Sequence, residues 1–193
     1  MIVGVDVDEV CADLLTEWVR RYNLRYRDSL RADRISEWDM TKAVKPECGT
    51  AVYDILKEPD LYDNVLPLPF TRNAVDVIRG LGYRVVYVTS CPRGQADQKH
   101  EWLVRWGFLP DKPVSRDFIV ASDKSLVSVD VLVDDNIDTV NAFPGEALLV
   151  TRSYNRDKFT TRKRVANLAA VPRALVCLYG IHVPVTGIPI GTI

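Results

Sequence analysis

Histidine and methionine are scarce: two of each occur in 193 residues. The four cysteines, Cys11, Cys48, Cys91 and Cys177, form no CxxC and no Cys/His cluster. This argues against a zinc site, and a chain of this size needs no disulfide framework. A reducing cytosol is the expected compartment. An excess of either charge is also missing, since 25 Lys and Arg face 26 Asp and Glu for a net −1. No polybasic face is offered to nucleic acid or to an anionic membrane, so phosphate binding has to come from a local site. Two aspartates by the eighth residue oppose a signal peptide. The one uncharged run of near-spanning length, apart from His182, is the tail 175–193, and its two prolines and three glycines make a membrane helix a poor reading. Repeats and low-complexity segments are absent.

What is present is 47% apolar residues, enough for a buried core. Ile2–Val5 is a β-branched run that reads as a buried strand ending at Asp6. Leu14, Leu15, Trp18, Val19 and Tyr22 have helical spacing, so a helix is expected from Leu14 to about Tyr26. Residues 28–70 are polar, rich in Asp and Arg, with helical character at most around 47–57, and Pro59, Pro67 and Pro69 close the stretch. Regular alternation follows. The pattern predicts a helix over 71–81 with Thr71 as N-cap, and a strand at YRVVYV (83–88). A helix over 95–106 comes next, then strands at DFIVA (117–121), VDVLV (129–133) and ALLV (147–150). Such alternation predicts an α/β protein with a parallel sheet and helices on both faces. Residues 14–70 are too many for one crossover, so they read as an inserted cap on a core made of 1–13 and 71–193.

Three apolar strands end in polar groups: Asp6 and Asp8, then Thr89 and Ser90, then Asp134 and Asp135. In an open parallel sheet the ligand crevice lies beyond the carboxyl ends of the strands, so these residues converge although they are far apart in sequence. A carboxylate nucleophile can accept a phosphoryl group and divide one hard step into two easier ones. A second carboxylate two residues on can protonate the leaving oxygen and then activate water. Paired aspartates after a later strand are hard oxygen ligands suited to Mg²⁺. Thr89 and Ser90 can hold phosphoryl oxygens, and Lys124 can offset their charge and keep Asp6 ionised. Each motif alone is a common turn or cap; the agreement of order and strand-end position carries the reading.

The stretches GVDVDEVCADLL, YVTSCP, SDKSLVSVDVLVDDN and TRSYNR resemble the 5′(3′)-deoxyribonucleotidase family of the haloacid dehalogenase (HAD-like) superfamily. The resemblance implies a HAD-like Rossmannoid sheet with a small helical cap inserted after the first strand. It implies a Mg²⁺-dependent phosphatase acting on (deoxy)ribonucleoside monophosphates through an aspartyl-phosphate. Asp6 would be the nucleophile and Asp8 the acid/base. Asp6, Asp8, Asp134 and Asp135 form the implied metal set, with the Val7 carbonyl beside them. Thr89, Ser90 and Lys124 would bind phosphate, and Asn155 and Arg156 would support the site. Two departures stand out. The family often has Gly where this chain has Glu9, and a bulky acid there would narrow the entrance or repel an anionic substrate. Leu14 stands where animal members place an aromatic ring against the base.

Trp38 would either stack on a base or fill a small cap core. Arg93 and Lys99 read as solvated, and Cys91 has no neighbouring histidine to activate it. The apolar tail reads as a final strand or as a homodimer contact. The expected partner is a small phosphomonoester, a deoxynucleotide first, with sugar phosphates as the alternative, and neither a nucleic-acid polymer nor a membrane. A signalling receiver carries its acidic pair first and its acceptor later, the reverse of the order here. A non-catalytic phosphate-binding module is opposed by the complete set Asp6, Asp8, Thr89, Lys124 and Asp134.

Overall fold

The computed structural model describes residues 1–112 and 116–180. Six strands form one all-parallel sheet in the order β3-β2-β1-β4-β5-β6. They are β1 Ile2–Val5, β2 Arg84–Thr89, β3 Phe118–Val120, β4 Val131–Asp134, β5 Glu146–Val150 and β6 Lys163–Val165. The helices are α1 Leu14–Tyr26, α2 Thr71–Gly80, α3 Ala96–Arg105, α4 Ile137–Ala142 and α5 Val171–Tyr179.

Alternate residues of a strand point to opposite faces, and here the two sets enter different cores. Val131, Val133, Leu148 and Val150 join the large cluster with Val75 and Ile78 of α2, Leu103 of α3 and Leu175 of α5. Leu132, Ala147 and Leu149 join a smaller one with Val140 of α4 and Phe143. Both faces are therefore covered, which is why these strands read as continuous apolar runs. Gly4 lies where β1 is crowded: a side chain there would meet Val129 at 3.0 Å and Val88 at 3.3 Å.

Between β1 and α2, α1 is followed by 3₁₀ turns at Ala32–Arg34, Met40–Lys42, Gly49–Lys57 and Leu61–Asp63. Trp18 Nε1 donates to the Val52 carbonyl at 2.8 Å. Arg21 gathers Glu17 (2.7 Å), Glu58 (2.6 Å) and Asp60 (2.7 Å), fastening the end of this segment to α1. Its apolar residues, Leu15, Ile35, Ile55 and Leu61 among them, belong to the same cluster as the strands.

Several sequence expectations need correction. β4 starts two residues later than 129–133, because Asp130 is spent pairing with the chain start: Ile2 N–H donates to its carboxylate at 2.6 Å and its own N–H donates to the Ile2 carbonyl at 2.9 Å. Thr71 is the first helical residue of α2 and not its cap; Phe70 precedes it at φ 63°, and Thr71 Oγ1 donates to the Leu68 carbonyl at 2.7 Å. Residues 175–179 are helical and not a strand. Val171, Ala174 and Leu175 are buried at helical spacing, with Pro172 in the first turn, and that packing outweighs β-propensity. The remaining tail, 181–193, lies outside the described residues, and so does its reading as a strand or dimer contact. Among the described residues no helix is long and apolar enough to cross a membrane.

Candidate active site

The chain runs from β1 outward through β2 to β3, then returns to β4 on the other side, so the order reverses at β1. The crevice at such a reversal is where open α/β sheets bind ligands. Asp6 leaves β1 there, its N–H bonded to the Val133 carbonyl at 2.9 Å. Asp134 ends β4 and Thr89 ends β2. Carboxylate oxygens of Asp6, Asp134 and Asp135 all lie within 4.8 Å of one another.

Lys124 sits among them, 5% exposed, with Nζ 2.8 Å from Asp6 Oδ1 and 2.6 Å from Asp134 Oδ2. Asp6 Oδ1 also accepts the Val7 N–H at 2.7 Å, and Asp134 Oδ1 accepts the Asn136 N–H at 2.8 Å. Tyr154 OH donates to Asp135 Oδ2. Asn155, 1% exposed, donates to the carbonyls of Asp135 (2.7 Å) and Val150 (2.9 Å), so it shapes the loop under the site. Arg156 is exposed and does not line the cavity.

Burial pushes the Asp135 carboxyl well above the usual carboxylate range, and the charges of Asp134 and Asp6 add to it. Burial and then Asp6 raise Asp134 as well, against Lys124. For Lys124, burial alone would lower the ammonium pKa; the charges of Asp6 and Asp134 outweigh that and hold it above its ordinary value. One ammonium thus faces three buried carboxylates. A hard divalent cation fits this donor set, because oxygen ligands with surplus negative charge are what such ions select.

Asp8 is not in that carboxylate group. Its Oδ1 accepts from Tyr62 OH, and its Oδ2 lies 2.6 Å from Lys99 Nζ. Lys99 is 1% exposed, so the expectation of a solvated lysine is wrong, whereas Arg93 is exposed as expected. Thr89 is fully buried beneath Ser90, which is exposed and lines the cavity with Cys91.

The cavity beside Asp6 and Asp8 has a volume of about 340 Å³. Its outer wall comes from the 14–70 segment and is largely apolar, with Leu14, Trp18, Trp38, Met40 and Tyr53. Trp38 is not in a core. It is 54% exposed and stands edge-on to Tyr154 at 5.3 Å, with an interplanar angle of 77°. Trp18 and Tyr53 form a tilted pair with ring centres 5.6 Å apart.

Glu9 has φ 55°. That left-handed backbone suits glycine better than a residue with a side chain. Arg152 compensates by donating Nε to the Glu9 carbonyl at 2.6 Å, and Glu9 Oε1 accepts the Leu15 N–H at 2.7 Å in the first turn of α1. Burial raises the Glu9 carboxyl from 4.5 to about 7, against the Leu15 bond and the Arg152 charge. In the unfolded chain the group ionises near its ordinary value; in the folded chain it stays neutral to about 7. The stability it contributes is therefore complete below the unfolded value and lost as pH rises through the folded one. The full shift corresponds to about 3 kcal/mol, and partial exposure reduces this to about 2 kcal/mol. Glu9→Gln should accordingly gain about that much stability over wild type at high pH and none in acid. Urea melts across the pH range check this; an equal gain in acid would place the effect in packing.

Tyr62, Lys99, Arg152 and Tyr154 are the site-shaping residues that sequence reasoning missed. Only TRSYNR carries a signal, and there the motif points to Asn155 and Arg156 rather than to Arg152 and Tyr154.

A switch-point strand followed by DxD, Lys124 paired with Asp134 at the end of β4, and an all-parallel covered sheet together define a haloacid dehalogenase-like fold. Solved structures agree on the fold. A haloacid dehalogenase-like family hydrolase from Xanthomonas campestris superposes with a TM-score of 0.54 at 17% identity, covering 92% of this chain and 95% of its own. A HAD family hydrolase from Deinococcus radiodurans R1, solved with bound phosphate and sodium, gives 0.55 at 13% identity, covering 94% and 97%. Residues 1–178 match the family described as 5′ nucleotidase, deoxy (pyrimidine), cytosolic type C protein, and the chain belongs to it. It is 32% identical over 157 residues to the 5′(3′)-deoxyribonucleotidase of Clostridium acetobutylicum, covering 81% of this chain and 84% of that protein. It is 26% identical over 179 residues to the 5′(3′)-deoxyribonucleotidase of Bacillus subtilis strain 168, covering 91% and 98%. The chain is a phosphoric monoester hydrolase of the nucleotidase type.

Proposed function

We propose that this chain is a Mg²⁺-dependent phosphatase that hydrolyses deoxyribonucleoside monophosphates through a phosphoryl group carried on Asp6. The observation that carries the reading is the Asp6–Asp134–Asp135 cluster with Lys124, opening onto a cavity whose outer wall is aromatic. Asp6, Asp134 and Asp135 would hold Mg²⁺, which supplies charge neutralisation on the phosphoryl oxygens and orients them for in-line attack.

The chain's own groups do the rest. Lys124 pairs with Asp6 at 2.8 Å and offsets phosphoryl charge. A carboxylate oxygen of Asp6 forms a bond to phosphorus, the bond to the sugar oxygen breaks, and that oxygen takes a proton from the Asp8 carboxyl. The Asp8 carboxylate then accepts a proton from water as the water oxygen attacks phosphorus. The bond to Asp6 breaks, inorganic phosphate leaves, and Asp6 is regenerated. Ser90, on the cavity wall, meets the phosphoryl oxygens, and Thr89 stays buried behind it, accepting from Lys99. Residues 14–70 act as the cap over a core of 1–13 and 71–193, and Trp18, Trp38, Tyr53 and Tyr154 give a base the π-faces that a sugar phosphate would not use. A reducing cytosol suits the four free cysteines.

Phosphate release from deoxyribonucleotides, ribonucleotides and sugar phosphates, with Mg²⁺ or with EDTA, tests this. Release confined to the Mg²⁺ arm and strongest on deoxyribonucleotides is expected. Trp38→Ala should raise KM for the best nucleotide about tenfold, the scale of one stacking contact, with kcat little changed. Undiminished release in EDTA, or a sugar phosphate ranked first, would sink the corresponding half of the proposal.

A further inference from the structure

The Asp8 carboxylate is gripped from two directions. Lys99 of α3 reaches its Oδ2 at 2.6 Å, and Tyr62, on the last 3₁₀ turn of the 14–70 segment, Leu61–Asp63, donates to its Oδ1. An ammonium has three N–H donors. Lys99 spends them all inside the protein: on Asp8, on Thr89 Oγ1 at 2.9 Å and on the Ser90 carbonyl at 2.7 Å. With 1% of its side chain exposed, it has nothing left to offer a substrate phosphate. Tyr62 is likewise 1% exposed. A carboxylate has about four lone-pair positions, so each Asp8 oxygen keeps one free for a proton.

Both arms of this grip are fixed by the same helix. From α3, Gln98 Nε2 donates to the Glu58 carbonyl at 3.2 Å and Trp102 Nε1 to the Val65 carbonyl at 2.8 Å, while Arg105 Nη2 donates to the carbonyl of Tyr62 itself at 3.1 Å. Lys99 shares the helix with these residues. α3 therefore sets the positions of Lys99 and Tyr62 together, and through them the direction of Asp8.

We propose that Tyr62 and Lys99 are positioning residues that aim the Asp8 carboxylate at the leaving oxygen, so that the segment over the site contributes to proton transfer as well as to enclosing the substrate. This rests on Asp8 being the acid/base of the reaction above. Proton transfer needs a donor within about 2.6–3.2 Å of its target, and a misplacement of about 1 Å can cost a hundredfold. A purely structural role for the pair would lower activity on every ester alike. A positioning role discriminates between leaving groups. A sugar alkoxide needs the Asp8 proton as its bond to phosphorus breaks, whereas a nitrophenolate departs as a stable anion.

The test is kcat/KM for a deoxyribonucleoside 5′-monophosphate and for p-nitrophenyl phosphate in wild type, Asp8→Asn, Tyr62→Phe and Lys99→Met. This ratio reports the first phosphoryl transfer and leaves out the shared second step. Asp8→Asn should lose about a hundredfold more on the nucleotide than on the aryl ester, within the usual range for a general acid. Tyr62→Phe and Lys99→Met should show the same bias at about tenfold, with Lys99→Met also losing on both esters because it releases Thr89 and Ser90. Tyr62→Phe removes one hydroxyl at nearly constant volume, so it carries the test if Lys99→Met does not fold. Equal losses on both esters in Tyr62→Phe, with Asp8→Asn still biased, overturn the positioning role and leave the acid–base reading standing. No bias in Asp8→Asn overturns the reading beneath it.

Discussion

Asp6→Asn should leave a folded protein whose kcat is lower by about 10⁴-fold or more, the scale of losing a nucleophile that works as part of a unit. The amide has the size of the carboxyl and keeps one oxygen to accept the Val7 N–H. What it lacks is an anionic oxygen able to form the bond to phosphorus. The fold should not suffer. Asp6 is 8% exposed and crowded by Asp134 and Asp135, so neutralising it removes repulsion while costing Lys124 one of its two partners. Thermal melting in the absence of metal should therefore stay close to wild type, which separates a chemical defect from a folding one. Wild type quenched during turnover should carry a phosphoryl group on the peptide containing Asp6, and the variant should carry none. Release at the wild-type rate by Asp6→Asn would show that the nucleophile is a different group.

Groups placed by strand ends are legible in the sequence, and groups placed by tertiary contact are not. In a sheet covered on both faces a strand is an apolar run, and the first polar residue after it marks the crevice; Asp6, Thr89 and Asp134 can be picked out of the chain on that basis alone. Lys99 lies in ADQKHEWLVR, where a lysine looks solvated. Its burial is decided by Asp8, 91 positions away, and Tyr62 is joined to the same carboxylate over 54 positions. In the 28–70 stretch the helical character read around 47–57 falls on the 3₁₀ helix Gly49–Lys57, and the shorter 3₁₀ turns around it carry too few residues to show a period. β6 is three residues of KRV, too short and too charged to stand out. Glu9 stands out in the sequence as a departure from glycine, but its consequence, a left-handed residue held by Arg152, emerges only where β5 brings Arg152 beside it.

Lys124→Met is the variant in which stability and chemistry should fail together. It removes the cation that lies 2.8 Å from Asp6 and 2.6 Å from Asp134, and leaves a cluster of buried carboxylates with neutral hydrogen-bond donors but no counter-charge. Breaking a buried ion pair from one side costs about 3–5 kcal/mol, and part of this returns when the carboxyls take up protons. The direction with pH follows. In wild type the raised Lys124 pKa makes its contribution complete below the unfolded lysine value and lost only as pH rises through the folded one, so it is constant near neutrality. In the variant Lys124 no longer opposes the raised Asp134 pKa, which rises further, so the deficit should widen from acid toward alkaline pH. Mg²⁺ should reverse the effect on stability. Without the ammonium the cluster attracts a divalent cation more strongly, and tighter binding to the folded state gives a larger gain. The expected result is a lower melting temperature than wild type in EDTA, a larger upward shift on adding Mg²⁺, and kcat still down about 10³-fold because the charge that offsets the phosphoryl oxygens is gone. A deficit independent of both pH and Mg²⁺ would mean that Lys124 matters for its packed side chain and not for its charge.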